Sequence, residues 1–64
     1  MNEPTVKISV ELSEAEAWAF AQFLKRAGHG DYRGFTRDDE EAYQMLYAAE
    51  KVRASLAEAG IAPR

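Results

Sequence analysis

The chain has 64 residues, eleven Asp/Glu against eight Lys/Arg, a formal charge of −3 and 47 % hydrophobic residues. That length excludes more than one small domain, and the lack of cysteine excludes the disulfide framework or thiolate zinc site that often braces very short domains. With 30 % charged residues there is no bilayer-length apolar run, and Asn2-Glu3-Pro4 after Met1 has no leader character, so a cytoplasmic location is expected.

From Thr5 to Leu12 the residues alternate. Val6, Ile8, Val10 and Leu12 point one way, and Thr5, Lys7, Ser9 and Glu11 the other. This period of two predicts a half-buried β-strand over 5–12, with Pro4 placed just before it. Ser13-Glu14-Ala15-Glu16 then reads as a capping box and opens a helix over 14–27, which stops at Gly28 after Lys25 and Arg26. Helical spacing puts Ala17, Phe20, Phe23, Leu24 and Ala27 on a core face, with Ala21 at its margin. Trp18 lies off that face, between Glu14, Gln22 and Lys25. Either it covers a lysine stem or is covered by the following loop, or it anchors a second chain, as Trp often does at interface hot spots.

Residues 28–37 hold three of the four glycines and read as a loop, long for a helix–helix connection. A second helix is expected over 38–59, with Gly60 just past its end and 60–64 as a tail. Both Thr36-x-x-Asp39 and Asp38-x-x-Glu41 are possible starts. Ala42, Met45, Ala49, Val52, Leu56 and Ala59 form a heptad-like seam, with a second apolar stripe of Tyr43, Leu46, Tyr47, Ala54 and Ala57 beside it. A helix apolar on so much of its circumference calls for cover on two sides. The lone strand also lacks a partner for its backbone groups. The expected architecture is therefore one α+β domain over 1–64, β-α-α in order. It is expected to be a homodimer, with strands paired between copies and Val6, Ile8, Val10, Trp18 and Leu46 at the interface.

Catalytic groups are scarce. His29 is the only histidine, and Ser9, Ser13 and Ser55 have structural or exposed positions. The Asp38–Glu41 run lacks the spacing and central glycine of a calcium loop. No enzyme activity, catalytic residue, metal, cofactor, small-molecule substrate or membrane contact is expected. Charge is segregated instead. Residues 1–24 and 38–64 each carry −3, and residues 25–37 carry +3. The Asp38, Asp39, Glu40 and Glu41 run favours a helix N-terminus and also offers a negative patch to a basic partner. With Tyr32, Arg33, Tyr43 and Tyr47 it forms the expected partner-binding surface. The basic loop has the composition of a phosphate-contacting segment, but its arginines adjoin Asp31 and the acidic run, so direct nucleic-acid binding is the lesser expectation.

Strand, helix, helix in a small dimer is similar to the ribbon-helix-helix repressors, and that resemblance places Lys7, Ser9 and Glu11 at groove-reading positions. It implies the alternative function, a DNA-binding transcriptional regulator. The connection here is longer than that family's short turn, and the strand is less basic. The stretch from Val10 to Arg26, with Asp31-Tyr32-Arg33, Asp-Asp-Glu-Glu-Ala-Tyr and the Ala-Gly-Ile-Ala-Pro-Arg ending, resembles a group of short uncharacterised proteobacterial proteins. Small acidic proteins without catalytic groups are common products of phages and mobile elements. By that analogy, the expected function is an interaction module that binds and blocks a host protein or nucleic-acid-binding complex, in the manner of an anti-CRISPR inhibitor. A structural subunit of a larger assembly is the third reading.

Overall fold

A computed structural model describes residues 3–64. Three helices follow one another: α1 (Glu14–Arg26), α2 (His29–Arg33) and α3 (Asp39–Glu58). There is no strand or sheet among the described residues, so the β-α-α, α+β expectation is wrong and the fold is all-helical. Residues 3–13 form an arm without regular secondary structure. Val6, Ile8, Val10 and Leu12 all remain exposed on it, Val6 at 86 %. The alternation reports which side of the arm is apolar. A strand also requires a neighbour to complete the backbone ladder, and one chain supplies none.

The helix ends follow the local sequence. The Ser13 hydroxyl accepts the Glu16 N–H at 3.0 Å, and the Glu16 carboxylate accepts the Ser13 N–H at 2.8 Å. Hydrogen bonding from Ser13, its backbone N–H foremost and its side chain second, holds the Glu16 carboxyl below its ordinary value of 4.5. A carboxyl lowered in the folded state stabilises fully above its unfolded value, and that contribution is lost as pH falls through the folded value. Helicity measured by circular dichroism should therefore fall on acidification below about 4.5, less steeply in Glu16→Gln. An identical acid limb in the two proteins would exclude the box as its source.

The expected loop contains a helix. The Asp31 carboxylate accepts the Gly28 N–H at 2.8 Å, which fastens the start of α2. Between Thr36 and Glu40, two side chains settle where α3 begins. Thr36 Oγ1 accepts the Asp38 N–H at 3.1 Å, and Asp38 accepts the Glu40 N–H at 2.9 Å, so Asp38 is the N-cap. At the far end the Ile61 N–H reaches the Leu56 carbonyl and the Gly60 N–H the Ala57 carbonyl. This is a Schellman closure, and Gly60 adopts the positive φ of 91° that it requires.

The core is small and made largely of small residues. Ala17, Ala21 and Leu24 of α1, Tyr32 of α2 and Ala42 of α3 are buried, Ala21 and Ala42 completely. α3 packs on both α1 and α2. Beyond the buried Ala42, the seam residues Met45, Ala49, Val52 and Leu56 are partly covered, as the heptad spacing requires, while Ala59 lies past the last turn and is exposed. The core face of α1 is rotated from its expected position. Phe20 and Phe23 lie outside it, stacked on each other with ring centroids 5.8 Å apart. Small buried side chains such as Ala17, Ala21 and Ala42 allow close helix approach, and a phenylalanine at the same place would hold the helices apart.

Candidate functional site

Two surface features stand out, a polar cluster at the start of α3 and an apolar groove beside α1. In the first, α2 carries His29 and Arg33 to Asp39 in the first turn of α3. His29 Nε2 lies 3.1 Å from Asp39 Oδ1 without hydrogen-bond alignment, and Arg33 Nε lies 3.5 Å from the same oxygen as an ion pair. The Arg33 guanidinium also donates to the Thr36 carbonyl. The His29 ring sits 4.3 Å from the Tyr43 ring, and Tyr43 is 6.2 Å from Tyr47 one turn on. His29, which falls within the loop expected over 28–37, thus links α2 to α3. Only the Asp31 capping signal three residues after Gly28 could have placed it on a helix.

The expected partner-binding residues are divided by this arrangement. All four acidic residues are exposed, but Asp38 is occupied as the N-cap and Asp39 is paired with α2, which leaves Glu40 and Glu41 outside both roles. Tyr43 and Tyr47 are half exposed and continue the aromatic surface. Tyr32 is in the core instead, and its hydroxyl is buried without a protein hydrogen-bond partner. Of the expected interface residues, Leu46 faces inward, lining a small space of about 80 Å³ with Leu24, Ala27, Tyr32 and Ala49. Trp18 lies off the core face and is 39 % exposed, and Val6, Ile8 and Val10 lie along the arm.

The apolar groove was not foreseen. It measures about 560 Å³, and Ala19, Phe23, Ala27 and Phe35 provide its apolar walls, with Arg26 and Asp31 beside them. Phe35 is 76 % exposed there. A family model, described as a family of unknown function, matches residues 1–64. The chain belongs to the DUF7706 family. No curated protein and no solved structure matches it.

Among the described residues of this DUF7706 chain, no three His, Asp or Glu side chains converge as a metal site would require. No described helix is long and apolar enough to cross a membrane. What the DUF7706 surface offers is contact. Its groove, its arm and the Phe20/Phe23 and Tyr43/Tyr47 pairs are apolar surfaces with charged groups nearby.

Proposed function

We propose that this DUF7706 chain is a non-enzymatic, cytoplasmic protein-interaction module that works by having its apolar surface covered by another protein. The observation that carries this reading is the exposure of Val6, Ile8, Val10, Phe23 and Phe35 on so small a chain. Large apolar side chains exposed in such number mark interaction sites when they gather into patches, as Phe23 and Phe35 do along the groove. Co-purification with a tagged chain tests the reading, using Val6→Asp/Ile8→Asp/Val10→Asp as the control. The arm makes no helix, so the control should keep its helicity by circular dichroism. A protein held by the native chain and lost by the control is the expected result. Identical retention by both would overturn the reading.

An inhibitory form of the same module, of the kind phages and mobile elements encode, would draw on Glu40 and Glu41. They are the half of the exposed acidic run that neither caps α3, as Asp38 does, nor pairs with α2, as Asp39 does, and they precede Tyr43 and Tyr47 on the same helix. Such a module would compete with phosphates for a basic surface on a host nucleic-acid-binding complex. Reversing both charges to Lys leaves the Asp38 cap and the Asp39 pairs in place, so binding lost with folding intact supports this form. Binding unchanged by the reversal would exclude it.

A further inference from the structure

The chain is too open for its size. A compact monomer of 7.2 kDa exposes about 4,100 Å². This chain exposes 5562 Å². Its radius of gyration is 12.9 Å, where a compact chain of this length has about 10.7 Å. It is a slab of 33 × 28 × 17 Å. The excess surface is roughly 1,400 Å² per chain, or about 2,800 Å² for two chains, which falls within the range that obligate homodimers bury.

Charge and shape specify how two copies would meet. α1 has Glu14 and Glu16 in its first turn, Lys25 and Arg26 in its last, and the exposed Phe20/Phe23 stack between them. Two α1 helices laid antiparallel across a two-fold axis would meet through these phenylalanines. Glu16, on the phenylalanine side of each first turn, would then lie near the last turn of the other copy, where Arg26 borders the groove beside Phe23. A surface that complements itself in this way is what an isologous interface requires. The same arrangement brings the arm, leaving the N-terminus of one α1, to the C-terminal end of the other. That is where Phe23, Ala27 and Phe35 leave the groove open.

We propose that the chain forms an isologous dimer in which α1 packs antiparallel on α1 and the Val6–Leu12 arm of each copy lies in the Phe23–Ala27–Phe35 groove of the other. The proposal deepens the reading of the chain as an interaction module by naming a second copy as the occupant of its apolar surface. The contact is arm to groove, and the two arms do not pair with each other.

Sedimentation equilibrium of the full chain at micromolar concentration should return twice the 7.2 kDa chain mass. The chain has no cysteine, so a mixture of Val10→Cys and Phe35→Cys chains reports contact between copies without ambiguity. Oxidation should join the two variants to each other in preference to either with itself. Phe23→Glu changes an exposed position, so it should weaken association roughly tenfold or more with helicity unchanged. A chain that stays at 7.2 kDa across the micromolar range overturns the dimer. If such a monomer still retained a partner in the co-purification, the interaction reading would survive that failure. A dimer in which Val10→Cys joins chiefly to itself, or in which Phe23→Glu associates normally, overturns the arm-in-groove arrangement.

Discussion

Replacing Ala42 with Leu is expected to lower the melting temperature by roughly 4–24 °C, or to abolish cooperative unfolding. Ala42 is completely buried on the face of α3 that meets the other helices, and Ala21 is equally buried on α1. The added side chain can be accommodated only by separating the helices. Overpacking of this kind costs about 1–3 kcal/mol. A chain of this length has a total stability of only roughly 3–10 kcal/mol, and each kcal/mol shifts the melting temperature of a small domain by about 4–8 °C. Ala48→Leu, on the exposed side of the same helix, supplies the control. It should stay within about 0.5 kcal/mol of the native chain. Equal melting temperatures for the two variants would mean that the alanine contact is not close.

The second large effect concerns Tyr32, the buried residue of α2. Truncating an aromatic core residue to Ala costs about 3–5 kcal/mol, and Tyr32→Ala should release α2 from α3 or unfold the chain. Tyr32→Phe should behave oppositely. The hydroxyl is buried without a protein partner, and an unsatisfied polar group costs about 1–3 kcal/mol. Phe keeps the ring and removes that cost, so thermal denaturation should find this variant as stable as the native chain or more so. A Phe variant markedly less stable than native would show that the hydroxyl has a partner.

Local signals in the sequence identified the ends of the long helices well. The Ser13/Glu16 box and the Gly60 stop are both realised, because each depends on residues a few positions apart. The α3 seam was legible for a similar reason, since its spacing is a property of one helix. The β-strand failed because apolar alternation describes one segment, whereas a ladder is a relation between two. The rotated face of α1 failed for a packing reason. Counting apolar residues favours Phe20 and Phe23, but the side of α1 that is buried when it packs on α3 carries the small Ala17 and Ala21 with Leu24. α2 was hidden by its glycines, with only the Asp31 capping bond to reveal it. That omission concealed the cluster of His29, Arg33 and Asp39, since a loop gives no register from which to place the first two. The groove depends on how α1 and the turn at Phe35 come together, and no single segment of sequence contains that information.

The local character of the helix ends also bears on how fast the molecule forms. The capping bonds at Ser13, Gly28, Asp38 and Gly60 each close over a handful of residues. Proteins dominated by such short-range contacts fold in microseconds to milliseconds. With so few buried residues holding α1 and α2 against α3, reopening should be correspondingly frequent. How long the arm and groove remain covered would then be governed by the dissociation rate of whatever occupies them, more than by the lifetime of the lone folded chain.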